Sequence, residues 1–375
     1  MTQNIPEPPQ NTQHTAPPSA EPYAEYEQNA ASAIQSAPAD PAVNFASPAP
    51  AAPLYPVVPA RDIPGEYTYD QLERSDIRVK WYKPLLELLV GGGLALAATI
   101  VLQIVLSMYL ALSYHASNLS TESDKLTAYI QTQTLIDPMV MALSFGSIAA
   151  LSPALILGRW IFGARPWGLL HSVTGRMRWG LLGRSLGLSF TIYGLFYLIT
   201  SAMDSFAGFG QINEQVDAGR FIAFIALMIF LVPLQCYAEE VAFRGYAMQI
   251  LGRWIKNPVI IISIPAVLFM LGHDYDFWGQ AGVLTMGLMA GFLCYYTGGI
   301  EAGVGLHVGN NVLVMFMGLI ASQDPFAQAG TSFLDFALTF SIEALYTLIM
   351  CIWARKAGFG SRRIIQAPQV VAESV

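Results

Sequence analysis

The stretch 230-FLVPLQCYAEEVAFRGYAMQIL-251 decides the fold. It reads as an apolar helix, yet it carries two adjacent acids, Glu239 and Glu240, and then Arg244. Similar apolar runs recur along the 375-residue chain, which is 54% hydrophobic and only 12% charged. A soluble domain carries about a quarter charged residues, and a bilayer span needs roughly 20 apolar ones. The chain is therefore read as an all-α polytopic membrane protein, a bundle of about eight transmembrane helices. The expected spans are 85–113, 137–158, 181–202, 221–245, 258–273, 279–297, 303–321 and 333–354, with Pro153, Pro233 and Pro265 expected to kink three of them.

Working outward, residues 1–80 are Pro/Ala-rich and polar, a composition that cannot bury enough surface to fold, and are expected to form a disordered tail. Residues 81–363 are the transmembrane domain and 364–375 a C-terminal tail. No cleavable signal peptide is recognisable. Cys236, Cys294 and Cys351 fall inside spans and read as packing residues. Sixteen of the 19 Lys and Arg residues fall on one set of connections: before the first span, between the second and third, between the fourth and fifth, and after the last. Only Lys125 and Arg220 fall on the other set. The positive-inside rule then makes both termini cytoplasmic. The expected site is the plasma membrane of a bacterium, with the lipid bilayer as partner and no nucleic acid.

A charge at mid-bilayer costs several kcal/mol and marks function or a buried pair. Glu87 and Glu343 stand alone in their spans and read as structural. Glu240 and Arg244, four apart, share a helix face and pair. Glu239 points about 100° away. Two readings stand: acid/base chemistry from carboxylates in unequal surroundings, or an ion pair that holds helices together. Histidines bear on the choice. His14 lies in the tail and His115 and His171 in loops, but His273 and His307 lie in or at the end of later spans. Glu239 lies 18 residues before the turn at Asn257 and His273 lies 16 after it, so at ~1.5 Å per residue the two come out level. His307, only 8 residues past Gly299, disagrees unless that turn sits deeper. His307 and Asn311 share a face, with Asn310 the second choice, and form a donor pair suited to an oxyanion. Phe269, one turn before His273, is expected against its ring. Asp274 and Asp276 read as a solvated loop.

In order on successive helices, EEVAFR (Glu239, Glu240, Arg244), FMLGH (Phe269, His273) and HVGNN (His307, Asn311) match the patterns EExxxR, FxxxH and HxxxN. Over roughly residues 160–320 the chain resembles the CPBP intramembrane proteases, the CAAX prenyl endopeptidases and Abi-type bacteriocin-processing enzymes. The resemblance implies hydrolysis of a peptide bond, with Glu239 activating water and His273 positioning it. His307 and Asn311 would stabilise the oxyanion, and Glu240 with Arg244 would tune and hold the site. Its substrate would be a peptide or protein at the membrane, prenylated or bearing a leader. The preferred version is metal-free; the alternative is Zn²⁺ held by Glu239, His273 and His307, the metalloprotease label the family often carries. HExxH, GxSG and GxGD do not occur in the sequence. Two rival functions remain: an ion-coupled transporter, which intramembrane acids serve equally well, and a non-catalytic family member acting as a binding or immunity protein.

Overall fold

The computed structural model describes residues 62–114, 129–202, 212–321 and 330–366. The disorder expected of residues 1–61, the placements of His14, His115 and Lys125, and residues 367–375 of the expected C-terminal tail lie outside the described residues.

The order is β1 (Gly65–Thr68), a 3-10 turn (Tyr69–Ser75), α1 (Lys83–Tyr114), α2 (Pro138–Ala149), α3 (Leu151–Phe162), α4 (Trp179–Ala202) and α5 (Ala218–Glu240). A π-helical turn (Val241–Ala247) carries α5 into α6 (Met248–Gly252). Then follow α7 (Pro258–Leu271), α8 (Phe277–Thr297), α9 (Glu301–Ala321), α10 (Phe333–Lys356) and β2 (Arg362–Ile365). Local chemistry starts the helices where they start. Asp137 and Asn257 each cap the helix that begins at the next residue, a proline, and accept from Met139 N and Val259 N. Asp217 caps α5, Asp276 caps α8, and Ser332 and Asp335 form a reciprocal box at α10. Asp276 is thus a cap, not merely a solvated loop residue, and it also accepts from Thr331 N at 2.8 Å. Pro153 crowds the carbonyl of Ala149, and the helix breaks at Ala150, between α2 and α3. α5 and α7 run on through Pro233 and Pro265.

Among the described residues seven helical stretches are long and apolar enough to cross a bilayer, with α2–α3 counted as one and α5–α6 as one. The eighth expected span is α7, whose 14 residues reach only ~21 Å against a core of ~30 Å. α7 is apolar but shorter than the seven long stretches. β1 pairs antiparallel with β2, Gly65 opposite Ile365, so both ends of the helical domain meet on one face. The same face gathers the cation-rich connections. Arg74 donates to Gly252 O (2.8 Å) and Ile255 O (2.9 Å), and Ile300 N donates to His171 O (2.9 Å).

Residues 62–80, expected in the disordered tail, are folded. Tyr69 and Leu72 are fully buried, Tyr69 Oη donates to Leu170 O (2.6 Å), and Glu73 pairs with Arg159 of α3. The run EYTYDQLERSDIRV supplies the aromatic and apolar anchors Tyr69, Leu72 and Val79, all buried. The C-terminal boundary at 364 likewise falls inside β2.

α9 packs most closely on α4. A methyl group on Gly305 would lie 2.4 Å from Ser185 Oγ and 2.8 Å from its backbone carbon, so the small residue lets the two backbones approach. Gly305→Ala is expected to cost about 1–3 kcal/mol, read as a lower melting temperature in detergent. An unchanged melting temperature would show that α4 and α9 pack less closely than this.

Candidate active site

The site is built on α5, α7 and α9. At the end of α5, Glu240 is fully buried and Glu239 is 8% exposed. Arg244, on the π-helical turn, places Nη1 2.8 Å from Glu240 Oε1, donates to Gly287 O (3.3 Å) and lies 4.6 Å over the Phe269 ring. The inferred i,i+4 pair is therefore present. Such π turns concentrate at functional sites, and nothing in the sequence signalled this one.

His307 of α9 joins the two acids. Its Nε2 lies 3.3 Å from Glu239 Oε2 and its Nδ1 3.0 Å from Glu240 Oε1. A neutral imidazole donates to one of these, and only the doubly protonated ring donates to both. Glu240 Oε1 thus serves Arg244 and His307 together, while Glu240 Oε2 has no hydrogen-bond partner among the described residues. Gly303 keeps that oxygen's space open, since a Cβ there would sit 2.7 Å from it.

Phe269 packs where the sequence places it. Its ring lies edge-on to His273 (4.7 Å between centroids) and to His307 (5.6 Å). His273 does not hydrogen-bond Glu239. Its Nδ1 bonds the Phe269 carbonyl oxygen at 2.8 Å, which makes Nδ1 the donor and leaves Nε2 an acceptor. Asn311 reaches the site through Gln235, a residue the sequence reading passed over. Gln235 Nε2 donates to Glu239 Oε2, and Gln235 Oε1 accepts from Asn311 Nδ2 at 3.4 Å. Gln235 sits four before Glu239, so the i,i+4 spacing that exposed the Glu240–Arg244 pair was available here too. Asn310 Nδ2 donates to Asn311 Oδ1 (2.9 Å) and orients it.

Among the described residues no three His, Cys, Asp or Glu side chains converge as a metal ion requires. Glu239, His273 and His307 as placed do not make a zinc site. Of the other intramembrane acids, Glu87 is buried against Arg159, and Glu343 accepts from Thr285 Oγ1 at 3.2 Å. Both are structural in their contacts.

The fold and site define a class: a helical membrane protein with a buried Glu-Glu-Arg, His and His-Asn constellation on successive helices. Comparison with known proteins adds a partial family match. Residues 220–313 match the family "Type II CAAX prenyl endopeptidase Rce1-like", and that segment holds every motif residue named above. The resemblance drawn from the three motifs stands on that match. The chain is also 29% identical over 202 residues to the uncharacterized protein YyaK of Bacillus subtilis, a match covering 51% of this chain and 66% of that protein, just under two thirds. No solved structure matches the chain.

Proposed function

We propose that the protein is an intramembrane endopeptidase in which Glu239 activates water without a metal. The observation that supports this most is the inequality of the two acids. Glu240 is committed to Arg244 and His307 in a fully buried position, whereas among the described residues Glu239 makes an ion-pair contact with His307 alone and keeps some access. Glu239 takes a proton from water, the water oxygen attacks the scissile carbonyl carbon, and the proton passes to the leaving amine as the C–N bond breaks. His273 Nε2, free to accept, orients the water. The long contact from Asn311 to Gln235 is weak and is readily exchanged for a developing oxyanion. His307 joins as an oxyanion donor only by releasing one carboxylate, so it is first of all the link between Glu239 and Glu240.

The substrate class follows from the family resemblance: a prenylated C-terminal peptide or a leader peptide at the membrane. The cation-rich face is cytoplasmic, with both termini there, in a bacterial plasma membrane. The test is cleavage by protein in liposomes of a farnesylated CAAX peptide, its unprenylated twin and a pool of membrane-derived peptides, with products weighed. Cleavage of the farnesylated form alone supports the prenyl reading. Cleavage in the pool alone supports leader processing. No cleavage of any, by folded protein, sinks the protease reading in favour of a non-catalytic binding protein. Within an active enzyme, Gln235→Leu is expected to lower kcat about 10²-fold through misplacement of Glu239 and Asn311. An unchanged kcat would remove Gln235 from the site.

A further inference from the structure

On the far side of α5 from Glu239 lies a cavity of about 1010 Å³. Ligand pockets run from roughly 300 to 1,000 Å³, so this one is large enough for a long-chain molecule. Leu186 and Phe190 of α4 and Phe230 and Leu234 of α5 form its walls, and Val308 and Val312 of α9 its floor. Phe230 and Leu234 are 70% and 55% exposed, so the groove opens sideways at the depth of the spans. Its floor is a second layer of helix, behind α4 and α5. That sets it apart from an ordinary lipid-facing surface.

Polar groups gather at one end only. His171 Nε2 and Tyr237 Oη are 2.7 Å apart, with their rings stacked at 5.9 Å. Burial holds the His171 imidazole below the usual histidine range, so the ring is a neutral hydrogen-bonding group. Arg176 lines the same end. Its guanidinium is exposed and makes no ion pair among the described residues, whereas neighbouring Arg178 is committed to Glu301. This end belongs to the cation-rich face. The groove is therefore apolar at membrane depth and cationic where a lipid headgroup sits.

We infer that the groove binds one anionic phospholipid, its acyl chains between α4 and α5 over α9 and its phosphate at Arg176, beside His171 and Tyr237. The lining contains none of Glu239, His273, His307 and Asn311, so a peptide bond held in the groove would lie away from the acids. The lipid lies behind the wall of α5 and α9 that carries the site. Tyr237, two residues before Glu239 in α5, lines the groove. The binding stands whether or not the protein is a protease.

The test is native mass spectrometry of the full chain, delipidated in detergent. Phosphatidylglycerol and phosphatidylcholine with identical chains compete in it, with the farnesylated peptide as a third competitor. One phosphatidylglycerol is expected to be retained with about fivefold preference over phosphatidylcholine, the worth of one well-placed cation. Arg176→Gln, at an exposed position that folding does not need, is expected to abolish the preference. Leu186→Trp, which fills the groove, is expected to lose both lipids. Equal retention of the two lipids, or a preference that survives Arg176→Gln, overturns the inference. Displacement of phosphatidylglycerol by the farnesylated peptide overturns it as well, because the groove would then serve the substrate.

Discussion

Glu239→Gln is expected to lower the rate of peptide cleavage by about 10²–10⁴-fold while leaving the melting temperature nearly unchanged. The amide keeps the shape of the carboxylate and can still bond Gln235 and His307, so packing is preserved. What it loses is the capacity to take a proton from water. Glu240→Gln, one residue on, is expected to behave in the opposite way. It removes the charge that Arg244 and His307 both face in a fully buried place, and breaking such a pair costs about 3–5 kcal/mol. The first variant should separate activity from stability, and the second should lose stability first. Steady-state cleavage and thermal melts on the two purified variants decide it. If Glu239→Gln retains activity, or if both variants melt alike, the division of labour between the two acids is wrong.

The Glu240–Arg244 pair was legible from spacing alone. An acid four residues from an arginine in an apolar helix has one natural partner, and its neighbour has no arginine or lysine at that spacing. The spans were legible for the same reason: expected and observed ends differ by a few residues, because bilayer length and polar caps bound each helix. Other parts were hidden for identifiable causes. The His307 bridge to both acids needs α9 to meet α5 at a depth that counting residues from Gly299 did not give. That turn is anchored by Ile300 N on His171 O and by Arg178 on Glu301, contacts between segments more than a hundred residues apart. The π-helical turn has no sequence mark. Residues 62–80 were masked by the composition of the longer tail. Their partner, Arg159, is a single charge near the end of a span and resembled any other cytoplasmic flank residue.

Arg159 gives the second large expectation. Its guanidinium is fully buried between Glu73, from the 3-10 turn, and Glu87 of α1, whose Oε1 lies 2.5 Å from Nε. It also donates to Gln249 Oε1 on α6 at 2.8 Å and lies 5.7 Å over the Tyr246 ring. Two acids, one cation and Gln249 thus pin four segments together. One of those segments is the continuation of the helix that carries Glu239. Arg159→Met keeps the bulk but leaves two buried carboxylates facing each other with no counter-charge. The expected loss is about 3–5 kcal/mol, the range for a broken buried pair. The loss comes from the stranded acids, so Arg159→Met combined with Glu73→Gln and Glu87→Gln is expected to recover much of it, as neighbouring sites couple strongly. Thermal melts of the single and triple variants measure this. A single variant that melts like the parent would mean that the cluster is not closed in the membrane. A triple variant no better than the single would mean that the arginine acts through packing and its bond to Gln249 rather than through charge.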